Sequence, residues 1–326
     1  MKDVQHLVIG LGKEEGRQEG LGNVCQPHFP GQGKQRESRC IAAVFQGVRN
    51  VRRQEIFPRI DHESCRIGRQ QGVDEALEFY MNSLKEVFMY SSPAEYVAAI
   101  VVEPLQGEGG FIPAPIPWIK ALRKVCDDNG ILLIADEVQT GWCRTGRMLA
   151  AEYWKEAGCP PDIIATAKSI GGGIPLGAVV AREKIMESVP AGVIGGTFGG
   201  NALACASALK VIEIMERDHL ADRALEIGKK VCARYEQWKQ KYDVIGDYRG
   251  LGAMLGLEFV HDKAGKEPYP ELVTAVIKEA AQHGLIMENC GIYDNVIRFL
   301  CPLVVTDAQL DAGLDILEQA ILTCTK

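Results

Sequence analysis

Ile-Leu-Leu-Ile-Ala-Asp-Glu-Val-Gln-Thr-Gly at residues 131–141 and Asp-Ile-Ile-Ala-Thr-Ala-Lys-Ser-Ile-Gly-Gly-Gly-Ile-Pro-Leu-Gly at residues 162–177 decide the fold. Each stretch contains a short apolar run without polar alternation, which is typical of a strand buried on both faces of a parallel sheet. The first run leads into Asp136, and Lys168 follows the second. Ligands bind at the carboxyl ends of strands in open α/β sheets. The pattern therefore predicts a carboxylate and an amine at one edge of one sheet.

These two groups suit pyridoxal phosphate (PLP). A lysine amine forms a Schiff base with a carbonyl, and an aspartate beside the pyridine nitrogen keeps PLP effective as an electron sink. Glycines at 171–173 allow the backbone to approach a ligand closely. Taken singly, Asp136 is more simply a loop cap and Lys168 a solvated surface residue. Their positions after two consecutive buried strands favour the cofactor site.

Four ordered motifs resemble the class III (omega) aminotransferases, which are fold type I PLP enzymes. They are Glu-Pro-Leu-Gln-Gly-Glu-Gly-Gly at 103–110, Asp-Glu-Val-Gln-Thr-Gly at 136–141 followed by Arg-Thr-Gly at 144–146, Gly-Thr-Phe-Gly-Gly-Asn at 196–201, and Ile-Arg-Phe at 297–299. The resemblance covers residues 73–326. It implies an α/β fold, in which helices flank a mostly parallel sheet and a smaller C-terminal α+β domain follows.

The resemblance also implies roles for individual residues. Lys168 would hold PLP as a Schiff base and move the proton between substrate and cofactor. Asp136 would pair with the pyridine nitrogen, Val138 would pack against the ring, and Gln139 would hydrogen-bond the phenolic oxygen. Thr197 would reach the phosphate of the neighbouring subunit's cofactor, which predicts a homodimer with shared active sites. Glu103 ends a predicted strand beside the site and receives no role.

Substrate recognition is expected at Arg298. It resembles the arginine that binds the α-carboxylate of glutamate or 2-oxoglutarate, and a guanidinium matches a carboxylate through two parallel hydrogen bonds. Arg298 interrupts an apolar strand, so a buried partner is expected. Glu108 resembles the acidic gate that pairs with this arginine while an omega-amino donor occupies the site.

The stretch Cys-Gly-Ile-Tyr-Asp-Asn-Val-Ile-Arg at 290–298 looks closest to the 4-aminobutyrate:2-oxoglutarate aminotransferases. The resemblance therefore implies a ping-pong transfer of an amino group from a 4-aminobutyrate-like donor to 2-oxoglutarate. Ornithine, acetylornithine and β-amino acids are alternative donors within the same class.

Residues 1–72 differ from the rest, and we predict them to be an atypical lead, poorly ordered or non-native. They are rich in glutamine and glycine, and they carry none of the family's Gly-Ser/Thr-Glu-Ala phosphate loop, aromatic-His-Gly segment or basic residue for a distal carboxylate. A catalytically impaired fragment is therefore a competing hypothesis. A nicotinamide-dependent enzyme is a weaker one, because the glycine pattern starting at Gly10 meets Glu15 where its third glycine belongs. We predict a PLP-binding domain at 73–244 and a small domain at 245–326.

Periodicity and end signals predict the remaining elements. Helices are expected at 77–88, 117–129, 202–216, 222–242, 270–283 and from 306, and strands at 40–45, 96–102, 131–135, 162–166, 177–181, 253–259, near 286 and at 296–300. Leu225, Val231 and Tyr235 are expected on the inner side of their helix, and Thr306 with Gln309 forms a capping box.

The net charge, the apolar runs and the cysteine pattern limit the classes of function that are expected of the chain. The chain has 326 residues, 47% hydrophobic and 24% charged, with a formal net charge of −7, which gives no reason to expect a nucleic-acid or membrane partner. No apolar run is long enough to span a bilayer, and no signal-peptide core follows the N-terminus. The 11 cysteines form no Cys-x-x-Cys pair, so we predict reduced thiols, a cytoplasmic location and no metal site.

Overall fold

A computed structural model describes residues 7–10, 73–190, 196–197 and 199–325. The strand predicted at 40–45 lies outside these residues. The first part of the chain contains strands β1 Leu7–Gly10, β2 Ala99–Val102, β3 Leu105–Gln106, β4 Ile112–Pro113, β5 Leu132–Asp136, β6 Ile163–Thr166 and β7 Gly177–Ala181. Its helices are α1 Val73–Tyr90, α2 Ile116–Asn129, α3 Ala151–Glu156 and α4 Glu183–Glu187, with short 3₁₀ turns at Ala94–Tyr96 and Lys168–Gly171.

The second part contains helices α5 Ala202–Arg217, α6 Leu220–Lys241, α7 Pro270–Gln282 and α8 Asp307–Cys324, and strands β8 Ile245–Leu251, β9 Met254–Phe259, β10 Glu288–Cys290 and β11 Val296–Phe299. Its helices match the predicted ones to within a few residues. The predicted capping box is confirmed: Thr306 Oγ1 accepts the N–H of Gln309, and the Gln309 side chain accepts the N–H of Thr306. No helix in the described part of the chain is long and apolar enough to cross a membrane.

The larger sheet has the strand order β1-β7-β6-β5-β2. β2, β5 and β6 are parallel neighbours, β7 is antiparallel to β6, and β1 is antiparallel to β7. Four of the five strands therefore run in one direction, which confirms the mostly parallel sheet flanked by helices. The reversal of β7 has a topological reason: only a short 3₁₀ turn separates it from β6, whereas a parallel return needs a longer crossover.

The register of this sheet places the two residues that the sequence singled out. Asp136, the last residue of β5, lies opposite Ala165 of β6. Lys168 follows Ala165 by three positions and starts the 3₁₀ turn after β6. Because β5 and β6 are parallel, both residues emerge at the same edge of the sheet.

The smaller sheet is antiparallel, with the order β10-β11-β9-β8. The sequence reading missed β8, because its glycines and charged residues obscure an alternating pattern, yet β8 pairs with β9 along nearly its whole length. Helix α6 packs on β8 and β9 and also contacts α8. The boundaries proposed at residues 73 and 245 stay predictions.

Two large apolar cores hold these layers. One lies between β2, β5 and helices α1 to α3, and its members include Trp118, Ile119, Leu122, Leu133 and Trp154. The other joins the turn after β6 and helices α5 to α8 to the smaller sheet, with Val231 and Tyr235 fully buried. Leu225 was expected on the inner side of α6 but is 40% exposed, because it lies beside Gly146 at the edge of this core.

Ion pairs link α6 and α8, and Glu318 is the most enclosed acid among them. It is 19% exposed and pairs with Lys241 at 2.9 Å and Arg234 at 3.2 Å, and it accepts the Tyr242 hydroxyl at 3.0 Å. Burial acts to raise the pKa of Glu318, but the hydrogen bonds from Lys241 and Tyr242 outweigh it and lower the pKa below its usual value.

Glu318→Gln should therefore lower the free energy of unfolding by about 1 kcal/mol at neutral pH, since a charged partner of several hydrogen bonds is lost. A depressed pKa in the folded state stabilises the fold above the unfolded pKa of glutamate, and that contribution is lost as the pH falls through the folded value. The difference between wild type and variant should thus shrink in acid. Urea unfolding from neutral pH to pH ~3 measures it. Glu226→Gln, which removes an exposed acid from the facing helix α6, is the control; a difference that grows in acid would contradict the prediction.

Candidate functional site

The site begins at the carboxyl end of β5. Asp136 is half-buried there, and its Oδ1 accepts the N–H of Val138 at 3.0 Å. This bond turns the chain at the end of the strand and fixes the carboxylate. Val138 and Gln139 follow as half-buried residues of the same turn.

Glu137 holds the loop that follows. It is fully buried; Oε2 accepts the Thr140 hydroxyl at 2.5 Å and the N–H of Ala150 at 3.0 Å, and Oε1 accepts the N–H of Ala151 at 2.5 Å. Burial raises the pKa of Glu137, and these hydrogen bonds oppose the rise. The sequence reading gave Glu137 no role. The signal for this role in the sequence is the position of Glu137 directly after Asp136, because strand alternation turns the two side chains to opposite faces.

The Arg-Thr-Gly block attaches this loop to the smaller sheet. The Arg144 guanidinium donates to the carbonyl of Cys301 at 2.7 Å and of Ala253 at 3.3 Å, and the Arg144 carbonyl accepts the N–H of Ala253. Burial lowers the pKa of Arg144. This part of the motif thus connects the two sheets through the loop that carries Asp136.

Lys168 adopts a strained backbone conformation. Its φ is 52°, in the left-handed region that a lysine rarely occupies, and its side chain is exposed. Such strain costs on the order of 1 kcal/mol or more and is concentrated at functional sites. The chain keeps a lysine here although glycine, which follows at 171–173, would fit without strain.

Glu103 feels the charges of both Asp136 and Lys168. It lies just past β2, and its Oε2 accepts the N–H of Gly107 at 2.8 Å. Desolvation by the surrounding protein raises the pKa of Glu103, the Gly107 bond lowers it, and the charge of Asp136 raises it further while that of Lys168 lowers it. Both side chains are therefore close enough to act on one carboxyl. The carboxylate and the amine predicted at one edge of the sheet thus both act on the carboxyl of a third residue, which received no role from the sequence.

Gln139 presents a buried polar atom to the same place. Its Oε1 is buried and has no hydrogen-bond partner within the described residues. It lies so close to Gly107 that a Cβ on that glycine would overlap it. An unpaired buried amide is costly, so this atom marks a position where a bound group could supply the missing hydrogen bond. Oε1 is an acceptor, so it fits the predicted hydrogen bond with the phenolic oxygen of the cofactor when that oxygen carries its proton and donates.

Gly107→Ala should test this arrangement. The new methyl group meets only the flexible end of Gln139, so the side chain should move aside with little change in melting temperature. Affinity for PLP should fall by roughly tenfold, since one hydrogen bond in an enclosed site is lost. Titration followed by absorbance measures this affinity. Gly109→Ala is the matched control, because its methyl group would push the end of Gln106 instead; equal losses in both variants would contradict the role of Gln139.

Arg298 lies in β11 with its side chain 16% exposed. Nη1 contacts Glu108 Oε1 at 2.5 Å, and Nη2 contacts Glu288 Oε2 at 2.6 Å, while Nε is buried without a partner among the described residues. The structure thus brings together the predicted pair of Arg298 and Glu108. It adds Glu288, which the sequence reading missed because it placed the preceding strand near Ile286 and could not foresee the pairing register.

Thr197 is exposed in the turn that precedes α5. The side chain of Asn201, the N-cap of that helix, accepts the N–H of Ala204 at 3.1 Å. Only one chain is present, so the role of Thr197 at the phosphate of a neighbouring subunit's cofactor stays a prediction.

Comparison with known proteins identifies the family. The model of the family described as Aminotransferase class-III matches residues 54–321. This chain belongs to the class III aminotransferases. It is 44% identical over 247 residues to the 5-aminovalerate aminotransferase DavT of Pseudomonas putida, a match that covers 76% of this chain and 56% of DavT. It is 42% identical over 237 residues to the 4-aminobutyrate aminotransferase GabT of Escherichia coli K12, covering 73% and 55% respectively.

Solved transaminase structures agree with this assignment. An amine transaminase from an uncultivated Pseudomonas species, described in its PLP-bound (internal aldimine) form, superposes with a TM-score of 0.70 at 34% identity, covering 77% of this chain and 57% of that one. A transaminase from the marine bacterium Virgibacillus gives a TM-score of 0.71 at 31% identity, covering 76% and 57%. The fold is therefore that of the fold type I transaminases. This class III chain spans about half the length of the curated relatives it matches.

PLP is the cofactor of the class III aminotransferases, and the residues present fit it. The half-buried carboxylate of Asp136 and the amine of Lys168 emerge at the same edge of the sheet, and Gln139, whose amide oxygen has no partner among the described residues, follows Asp136 in the same turn. They supply an acceptor for a protonated ring nitrogen, a polar partner for a ring oxygen and a nucleophile for an aldehyde. Membership in this family argues against the nicotinamide-dependent alternative.

Proposed function

We propose that this class III chain binds PLP through Lys168 and transfers the amino group of an omega-amino acid to 2-oxoglutarate in a ping-pong reaction. The observation that carries the proposal is the placement of Asp136 and Lys168 at the carboxyl ends of the parallel neighbours β5 and β6, at one edge of the sheet. The relatives named as 5-aminovalerate and 4-aminobutyrate aminotransferases support a linear donor with its amine at the far end from its carboxylate.

In this proposal PLP, when bound, supplies the electron sink that makes the substrate carbon acidic. Lys168 anchors the cofactor and then takes and returns a proton at the substrate carbon. Asp136 keeps the ring nitrogen protonated, Val138 packs against the ring, and Gln139 forms a hydrogen bond with the phenolic oxygen. Thr197 contributes to the phosphate site of a neighbouring subunit, so the active form is a homodimer.

The pair of Arg298 and Glu108 lets one site accept both the amino donor and 2-oxoglutarate. While Glu108 holds Arg298, the site accepts a donor whose reacting carbon has no carboxylate. When Glu108 rotates away, Arg298 binds the α-carboxylate of 2-oxoglutarate or glutamate through its guanidinium fork. The backbone of Glu108 stays fixed, because its carbonyl accepts the N–H of Gly291 at 2.9 Å.

Glutamate formation by the purified chain tests this function. With PLP, 4-aminobutyrate and 2-oxoglutarate present, glutamate should accumulate, and double-reciprocal plots for the two substrates should be parallel. Substituting 5-aminovalerate, ornithine, acetylornithine or β-alanine ranks the donors. Sedimentation should show that the active species is a dimer. A cytoplasmic location remains a prediction from the sequence.

A second candidate is a catalytically impaired member of the family. It is favoured by residues 1–72, which carry no Gly-Ser/Thr-Glu-Ala phosphate loop, since a site without that anchor binds the cofactor more weakly. A chain that folds but takes up no PLP and forms no glutamate would support this candidate.

A further inference from the structure

Arg298 is held by two carboxylates. Glu108 occupies Nη1 and Glu288 occupies Nη2, at 2.5 Å and 2.6 Å. Both distances are those of charge-assisted hydrogen bonds. The two terminal nitrogens that form the end-on fork of a guanidinium are therefore both taken before any substrate arrives.

The two acids come from separate parts of the fold. Glu108 lies in the loop between β3 and β4, whereas Glu288 lies in β10, directly opposite Arg298 in the antiparallel pairing of β10 with β11. The sheet register thus places Glu288 beside the guanidinium, and it stays there when Glu108 moves. The loop carrying Glu108 is pinned as well, since the carbonyl of Gly110 accepts the Arg249 Nε–H at 2.8 Å.

The exposures show which partners can move. Glu108 and Glu288 are 63% and 68% exposed, so either side chain can rotate into water, while Arg298 is 16% exposed and cannot follow. Its Nε is also buried and has no partner in the part of the chain that the structure describes. A carboxylate that approaches Arg298 end-on must displace both glutamates to gain two parallel hydrogen bonds. If it displaces Glu108 alone, it gains one, and it lies next to the negative charge of Glu288.

We propose that Glu288 is a second gate residue that determines specificity at Arg298. This inference rests on the proposed function of Arg298 as the carboxylate site. Two glutamates on one arginine leave the closed gate with a net negative charge, which repels partners that carry a carboxylate on the reacting carbon. Donors without one, the terminal amines of omega-amino acids, are unaffected. Glu288 thereby biases the site towards omega-amino donors and weakens binding of 2-oxoglutarate and glutamate.

Glu288→Gln tests the proposal by equilibrium binding. The variant keeps a polar side chain of the same shape but removes the charge, so the dissociation constant for 2-oxoglutarate, measured by calorimetry on the full chain, should fall by roughly 3- to 10-fold. This is the size expected for removing one like charge at a few ångströms from a partly exposed site. The gain should diminish at high salt.

Three further variants control the measurement. Glu288→Asp keeps the charge and should bind 2-oxoglutarate as wild type does. Glu279→Gln removes an acid that pairs with His283, away from Arg298, and should change nothing. Arg298→Met should abolish binding in every background. Unchanged or weaker binding by Glu288→Gln, or no 2-oxoglutarate binding by any variant, would overturn the proposal.

The outcome is separable from that of the proposed function. PLP uptake reports on Lys168 and Asp136, while 2-oxoglutarate affinity in the absence of PLP reports on the gate alone. Tighter binding by Glu288→Gln without PLP uptake would support the gate in a catalytically impaired chain. PLP uptake with no change in the 2-oxoglutarate affinity of Glu288→Gln would contradict the gate role of Glu288 and would not contradict the transaminase proposal. In the PLP-loaded protein, the variant should lower KM for 2-oxoglutarate while the half-reaction with 4-aminobutyrate keeps its rate.

Discussion

Lys168→Ala is expected to abolish covalent attachment of PLP and to lower the rate of amino transfer by about 10²- to 10⁴-fold or more. Lys168 supplies both the amine that anchors the cofactor and the group that moves the proton, so both functions are lost together. Alanine keeps the same strained φ of 52°, and the side chain is exposed, so the stability of the fold should change little. Absorption spectra and glutamate formation measure the two losses.

Lys184→Ala is the control for this variant. Lys184 is an exposed lysine on helix α4, and its removal should leave the absorption of bound PLP intact. If Lys168→Ala retained the borohydride-sensitive absorption of wild type, another lysine would be the anchor and the assignment of Lys168 would be wrong.

Asp162→Ala should be among the most destabilising single changes in the chain. Asp162 is 6% exposed; Oδ2 accepts the N–H of Leu133 at 2.8 Å and the Arg123 guanidinium at 2.7 Å, and Arg182 approaches Oδ1 at 3.2 Å. The variant leaves the nearly buried Arg123 with only an exposed acidic partner, Asp127 at 2.9 Å, and removes the acceptor of a buried N–H. Removing one member of a buried ion pair costs about 3–5 kcal/mol. Urea unfolding, monitored by circular dichroism, should show a loss of this size.

Asp162 acts on the site through the two strands β5 and β6. Asp162 joins β5 to the start of β6, and these two strands carry Asp136 and Lys168 at their other ends. Asp128→Ala is the matched control, because it removes an aspartate from an exposed pair with Lys124 on α2 and should cost no more than about 0.5 kcal/mol. Similar losses of unfolding free energy in Asp162→Ala and Asp128→Ala would show that Asp162 does not hold β5 and β6 together.

The sequence predicted the structure best for strands that are buried on both faces. The unbroken apolar runs at 131–135 and 162–166 are typical of strands in a covered parallel sheet, so these strands and the shared edge bearing Asp136 and Lys168 followed from them. Gly130, with φ 66°, ends α2 where the sequence placed the end. The direction of β7 was harder to predict, because an apolar strand reads the same in both directions and only the length of its connection decides.

The partners of individual side chains could be predicted only with knowledge of the strand register. Glu288 meets Arg298 because β10 and β11 pair in one particular alignment, and nothing local to residues 286–290 reveals that alignment. Glu103 was visible at the end of a strand, but its place beside Asp136 depends on the pairing of β2 with β5, which the sequence alone does not show. The pair of Glu108 and Arg298 was predictable only through the family resemblance, since the two residues are far apart in sequence.

Peptide mapping after borohydride reduction is the most direct test of the central claim, that Lys168 and Asp136 form the cofactor site. The purified chain is incubated with PLP, reduced, digested and examined by mass spectrometry. The account predicts one dominant pyridoxyl label, on Lys168, and a strongly reduced yield in Asp136→Asn. Labels spread over the exposed lysines, or an equal yield in the Asp136 variant, would contradict it.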